Sequence, residues 1–64
     1  MINEQAMESI RELEEEYKYR WGKDVDYTLL PPRITQEKLV VILEHIVETG
    51  QGIMSGWEEV KEWF

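Results

Sequence analysis

Residues 35–50 read TQEKLVVILEHIVETG and carry a complete helix signature. Thr35 has the side chain of a helix N-cap, Glu37 favours the first turn, and Gly50 is the residue type that ends helices. At 100° per residue the apolar side chains cover an arc of roughly 160°, wider than one neighbouring helix needs. This arc consists of Leu39, Val40, Ile42, Leu43, Ile46 and Val47. The pattern predicts a helix over about 36–49 at the centre of the core, contacted from two sides.

A helix is also predicted upstream, over about residues 3–21, with Asn3 as its N-cap and Gly22 at its end. One face is apolar and contains Ile2, Ala6, Ile10, Leu13, Tyr17 and Trp21. The opposite side is acidic, and we call it the acidic stripe: Glu4, Glu8, Glu12, Glu15 and Glu16. Like charges one turn apart cost a helix about 0.2–0.5 kcal/mol per pair, so the stripe works against the stability of its own helix.

A third helix is predicted over about residues 56–64, because Ser55 and Glu58 have the spacing of a capping box. Residues 50–55 are expected to form a turn before it. Its apolar face is largely aromatic and contains Trp57, Val60, Trp63 and Phe64.

Residues 22–34 contain Pro31-Pro32 and are expected to be an extended linker. We expect four apolar side chains to pin it against the helices: Val25, Tyr27, Leu29 and Leu30. The sequence therefore predicts one all-α domain over residues 1–64, with three helices and a proline-containing linker between the first two.

The net charge of the chain limits the classes of molecule that it can bind. Fourteen Asp and Glu against seven Lys and Arg give a formal net charge of −7. Such a chain repels nucleic acid and anionic membranes and favours a basic protein surface. There is no cysteine, which excludes disulfides and thiolate metal sites. No signal peptide is apparent and the longest aliphatic run, residues 39–43, is too short to span a bilayer, so a cytoplasmic location is expected.

Catalytic patterns are weak. The single histidine, His45, falls on the polar side of its helix and is expected to face solvent without a catalytic role. Ser9 lies at a helix edge, and Ser55 is explained as a cap. We therefore predict that the protein is not an enzyme.

Two loops resemble ligand-binding motifs, but the residues around them do not fit either motif. Residues 50–56, GQGIMSG, resemble a phosphate-binding loop, yet a helix rather than a strand precedes them and acidic residues follow. Asp24 and Asp26 have the opening spacing of a calcium loop, but Leu29 and Thr35 stand where it needs glycine and glutamate. Turn capping explains both aspartates. No cofactor and no metal is expected.

Protein binding is the remaining function. We expect a non-catalytic adaptor or inhibitor that binds a basic protein surface, including that of a nucleic-acid-binding protein. In its general look, a small acidic chain without cysteine or a cofactor motif, the protein is similar to small bacterial and phage regulators. The expected contacts are the acidic stripe (Glu4, Glu8, Glu12, Glu15, Glu16) and three side chains in excess of what the core needs: Tyr19, Val41 and Trp63. The alternative is a small homo-oligomeric structural subunit, such as a homodimer, without an external ligand.

Overall fold

The computed structural model describes residues 4–63, which form three α-helices. They are α1 (Glu4–Trp21), α2 (Gln36–Thr49) and α3 (Ile53–Val60), with short 3₁₀ turns at Tyr27–Leu29 and Lys61–Trp63. No β-strand occurs between residues 4 and 63, so the predicted all-α, three-helix fold is confirmed. Within the same range, no helix has both the length and the apolar character needed to cross a bilayer.

Helix α2 is the centre of the core, as predicted. The Thr35 hydroxyl accepts a hydrogen bond from the Lys38 N–H at 3.2 Å, and Gly50 ends the helix with a φ of 75°. Ile42, Leu43 and Ile46 are completely buried. Helix α1 packs on one side of α2 and α3 on the other, which explains why its apolar arc is so wide.

Helix α1 contributes a narrower apolar face. Ala6 and Tyr17 are buried, and Ile10 and Leu13 are half-buried against the core. Gly22 ends the helix with a φ of 67°, and its N–H donates to the Lys18 carbonyl at 2.8 Å, as its position predicts. The predicted cap Asn3 and the apolar residue Ile2 lie outside the described residues.

Helices α1 and α2 run parallel. Towards their beginnings, Ile10 and Leu39 line the same depression, and at their ends the Trp21 ring lies against Gly50. The chain must therefore return along the 14 residues of α2, about 21 Å at 1.5 Å per residue. An antiparallel pair would need a loop of only about 2–5 residues, so the parallel arrangement accounts for the long linker.

The apolar side chains of the linker are buried less evenly than predicted. Leu30 is buried and Val25 half-buried, but Leu29 is 47% exposed, because a 3₁₀ turn at Tyr27–Leu29 directs it outward. Asp26 caps this turn by accepting the Thr28 N–H at 3.1 Å, as expected of a turn aspartate. The Tyr27 hydroxyl donates to Glu14 at 2.5 Å and ties the turn to α1.

Helix α3 begins three residues earlier than predicted, so the capping-box prediction is wrong. Gly52 occupies the N-cap position without a side-chain hydrogen bond, and Ser55 lies inside the helix and is exposed. The start of α3 follows from burial, because three residues at helical spacing are buried against α2. They are Ile53, Gly56 and Val60. A Cβ on Gly56 would lie too close to the Ile46 side chain, so α3 needs a glycine there. The regular helix also ends earlier, at Val60, and a 3₁₀ turn follows.

One end of the molecule is closed by side chains of α1 and of Lys23. They donate hydrogen bonds to the carbonyls at the end of α2 and the turn after it, and we call this region the closed end. The Tyr17 hydroxyl reaches Gln51 O at 2.7 Å, and the Trp21 indole N–H reaches Val47 O at 2.8 Å. Arg20 also donates to Val47 O at 3.3 Å, and Lys23 donates to Gly50 O at 3.2 Å. Such bonds contribute about 1 kcal/mol each, and the cations also suit the negative end of the helix dipole.

Candidate functional site

The acidic stripe is a real surface of the folded chain. All five of its carboxylate-bearing residues are exposed on α1: Glu4, Glu8, Glu12, Glu15 and Glu16. Their side chains therefore lie where a partner in solution can reach them.

Cations of the chain neutralise only part of this stripe; Arg11 lines a groove with Glu4 and Glu8. Among residues 4–63, the ion pair that involves it joins Arg20 to Glu16 at 3.7 Å. Lys18 has the spacing to pair with Glu14, but it contacts Asp24 at 3.3 Å instead. Arg20 is shared with the closed end, where it donates to α2. Exposed ion pairs of this kind contribute only about 0–1 kcal/mol. The stripe keeps a net negative charge, because its five carboxylates outnumber the two arginines beside it, Arg11 and Arg20.

Tyr19 lies within the stripe and is 91% exposed. Glu15 and Glu16 precede it by four and three residues, which places their carboxylates beside its ring on the helix surface. The position contrasts with Tyr17, which is only 2% exposed. An aromatic face surrounded by carboxylates suits a cationic side chain, because the ring and the acids both attract positive charge.

A groove between α1 and α2 extends the acidic surface. It has a volume of about 240 Å³, and its lining comprises Ser9, Glu12, Leu13, Glu16, Val40 and Glu44. Glu12 and Glu16 of the stripe therefore face Glu44 of the second helix across a partly apolar floor. Glu44 was not among the predicted contacts, because the pairing of two helices cannot be read from the pattern of either one.

Val41 and Trp63 are 22 positions apart in the sequence but lie in one groove. This groove, which we call the tryptophan groove, has a volume of about 260 Å³ and is lined by Val41, Glu44, His45, Glu48 and Trp63. Trp63 is 61% exposed and Val41 is half-buried. The predicted contacts thus form two surfaces: the stripe with Tyr19 on α1, and the tryptophan groove between α2 and the last 3₁₀ turn.

His45 corrects a prediction, because its side chain is only 17% exposed. A hydrogen bond of 2.6 Å joins its Nε2 to Glu59 Oε2, and its ring lies edge-to-face with Trp63 at a centroid distance of 5.4 Å. Gln51 donates to the other Glu59 oxygen at 3.1 Å. The hydrogen bonds from Gln51 and His45 lower the pKa of the Glu59 carboxyl. The sequence pattern missed this contact because it requires α3 and the last turn to fold back along α2.

The remaining candidates have structural positions. Ser9 lines the groove between α1 and α2, and Ser55 is an exposed residue of α3. Gly50 and Gly52 separate two helices, as predicted for the glycine-rich run. In the part of the chain that the structure describes, no three histidine or carboxylate side chains are arranged to hold a metal ion. Comparison of the chain with models of protein families, with curated proteins and with solved structures found no match.

Proposed function

We propose that this protein is a non-catalytic binding module, an adaptor or inhibitor that docks onto a basic protein surface through the acidic stripe of α1. One observation carries the proposal: five exposed carboxylates share one helix face, while Arg20 and Lys23 are engaged at the closed end. Folding does not require this surface, since its like-charge neighbours cost helix stability.

The partner is a protein with exposed arginine and lysine side chains. Complementary charge speeds encounter and suppresses wrong partners more than it raises affinity, so the stripe would act first as a steering surface. Tyr19 supplies the contact that holds the partner, because an exposed aromatic ring adds cation–π attraction. A nucleic-acid-binding protein fits this description, with carboxylates in the place of phosphates. We place the module in the cytoplasm, as a regulator of the small bacterial or phage type.

Charge reversal on the stripe tests the proposal. Glu8→Lys, Glu12→Lys and Glu15→Lys together raise the formal net charge by 6, from −7 to −1. The matched control carries Glu37→Lys, Glu58→Lys and Glu62→Lys, with the same change in net charge at other exposed sites. Affinity capture from the native host at low salt, read by mass spectrometry, identifies the partner. We expect the stripe variant to lose it and the control to keep it, and unchanged capture by the stripe variant contradicts the proposal.

Self-association is the second candidate function, favoured by a partly apolar groove on the other side of the α1–α2 contact, which Arg11, Glu14 and Gln36 also line. This groove has a volume of about 310 Å³, and its apolar lining comprises Met7, Ile10 and Leu39. Light scattering across a concentration series separates the two functions. A strict monomer at high micromolar concentration contradicts the oligomeric subunit and leaves the binding module.

A further inference from the structure

The tryptophan groove has the dimensions of a site for a single side chain. Its volume of about 260 Å³ lies below the roughly 300–1,000 Å³ typical of pockets for drug-sized ligands. One wall is the C-terminal half of α2 and the other is the 3₁₀ turn at Lys61–Trp63. It is separate from the outer face of α1, where Glu8, Glu15 and Tyr19 lie.

Trp63 is exposed but held in place. His45 contacts its ring edge-to-face, with the two planes at 85°, and His45 is itself fixed by the hydrogen bond to Glu59. A ring that is already ordered loses less conformational entropy when a ligand stacks on it. Because 61% of the residue stays open to solvent, the ring retains surface for such contact.

Glu44 and Glu48 supply negative charge beside this ring. They lie one helical turn apart on α2, so their carboxylates project from the same side of the helix. Both residues are exposed. Neither carboxylate belongs to an ion pair within residues 4–63, where the pairs are Lys18–Asp24, Arg20–Glu16, His45–Glu59 and Lys61–Glu58. Arg20 lines a neighbouring groove with both, but it pairs with Glu16 and donates to Val47 O.

We propose that the tryptophan groove binds an arginine side chain of a partner protein. The guanidinium stacks on the Trp63 ring and donates hydrogen bonds to Glu44 and Glu48, while its aliphatic stem lies against Val41. Arginine fits better than lysine because its planar, weakly hydrated head can stack on an aromatic face and bind carboxylates at the same time. The proposal goes beyond the acidic stripe and stands without it, because none of its four side chains belongs to the stripe. Glu44 also lines the groove that extends the acidic surface, whereas Val41, Glu48 and Trp63 do not.

The test is a titration of the full chain with a defined probe, an N-acetylated and C-amidated Gly-Arg-Gly tripeptide. The readout is the indole N–H resonance of Trp63 in the ¹⁵N-labelled protein. We expect this resonance to shift in a saturable way while that of Trp21, which is hydrogen-bonded to Val47, stays in place. The same peptide with citrulline, the neutral isostere of arginine, removes the charge. The same peptide with lysine in place of arginine keeps the charge and removes the planar head. We expect both to bind about tenfold more weakly, because citrulline loses the charge that strengthens its bonds to the carboxylates and lysine loses the planar head that stacks on Trp63.

Two variants locate the binding. Glu44→Gln with Glu48→Gln should weaken arginine binding at least about tenfold, because both acceptors lose the charge that strengthens their hydrogen bonds. Glu8→Gln with Glu15→Gln makes the same change in net charge on the acidic stripe and should leave binding unaltered. Trp63→Ala, at an exposed position, should abolish binding as read from the backbone amides of α2, with circular dichroism as the check on folding.

Several outcomes overturn the proposal. They are the absence of a saturable shift, equal binding of the citrulline or lysine peptide, and equal loss in the two double variants, which would assign the effect to net charge alone. In the absence of peptide, a shift of the Trp63 resonance with protein concentration would assign the groove to a second copy of this chain. That result would also contradict the proposal. Failure of the charge-reversal experiment on the stripe affects none of these readouts, so the two proposals fail independently.

Discussion

The closed end and the acidic stripe share helix α1 but use their side chains in opposite ways. At the closed end, Tyr17, Arg20 and Trp21 donate hydrogen bonds to Val47 and Gln51 and join α1 to the last turn of α2. Along the stripe, the carboxylates are exposed and outnumber the arginines beside them. The hydrogen bonds from α1 to the carbonyls of α2 and the turn after it are therefore concentrated at one end of the helix. The acidic residues, in contrast, lie along its outer face, away from the packed side. This separation lets mutations distinguish folding from binding.

The largest expected effect comes from two tyrosines two positions apart. Tyr17 is 2% exposed and Tyr19 is 91% exposed. Tyr17→Ala should lower the free energy of unfolding by about 3–5 kcal/mol, because it leaves a cavity in the core. Tyr19→Ala should change it by less than about 0.5 kcal/mol. Urea unfolding followed by circular dichroism measures both, and similar losses for the two variants would remove the distinction between the regions.

A pair of glycines sharpens the comparison within the closed end. Gly22 and Gly50 both have positive φ, at 67° and 75°, so alanine at either position should cost about 1–2 kcal/mol of backbone strain. A Cβ on Gly50 would also lie 2.8 Å from the Trp21 ring, whereas one on Gly22 meets nothing within 4 Å. Gly50→Ala should therefore destabilise the protein by about 1–3 kcal/mol more than Gly22→Ala. Equal midpoints in thermal unfolding would show that the contact with Trp21 is unimportant.

Tyr17→Phe isolates the hydrogen bond to Gln51 O. Its loss should lower the free energy of unfolding by about 1–2 kcal/mol at neutral pH, because a carbonyl is left without its donor. Burial also raises the pKa of Tyr17 above its ordinary value of 10.0. The neutral phenol is thus favoured in the folded state, and this contribution to stability is present below pH 10 and is lost as the pH rises through the folded-state pKa.

Urea unfolding between pH 8 and pH 11 measures the alkaline dependence. The wild type should lose stability above about pH 10, and Tyr17→Phe should lose less. Part of the dependence should remain, because burial and the hydrogen bond to Glu14 raise the pKa of Tyr27 as well. An identical alkaline slope in wild type and variant contradicts the role of Tyr17.

The smallest expected effect is on the stripe, where a substitution should raise the free energy of unfolding instead of lowering it. Glu8 has like-charged neighbours one turn away on both sides, Glu4 and Glu12. Glu8→Gln should raise the free energy of unfolding by about 0.2–0.5 kcal/mol in all, because two repulsions are relieved and one attraction, to Arg11, is lost. The matched substitution Glu58→Gln, which removes the partner of Lys61, should give no such gain. A loss of stability in Glu8→Gln would mean that the stripe has a structural role after all.

The sequence was sufficient to predict the two long helices. Each has apolar residues that repeat every 3.6 positions and a terminal residue of a type that favours the beginning or the end of a helix. Thr35 caps α2, and Gly22 and Gly50 end their helices as predicted. The start of α3 was predicted wrongly because the local capping pattern of Ser55 and Glu58 competes with the burial of Ile53, and burial contributes more. The apolar spacing from Ile53 to Val60 was the signal that could have found it.

The candidate sites were predictable only where they lie on one helix. The stripe and Tyr19 needed no knowledge of packing, and their exposure follows from the helical wheel. The tryptophan groove depends on the way α3 and the following turn run back along α2. No periodicity in either segment places Trp63 beside His45, so the histidine was predicted to face solvent and the groove was not foreseen.

The parallel course of α1 and α2 also affects how the chain reaches its native state. An antiparallel helix pair can assemble as a local hairpin, with contacts that are close in sequence. Here the contact between Trp21 and Gly50 closes a loop that includes the linker and all of α2, and the entropy of closure is lost before that contact can form. We expect a higher contact order, and hence slower refolding, than in up-and-down three-helix bundles of equal length.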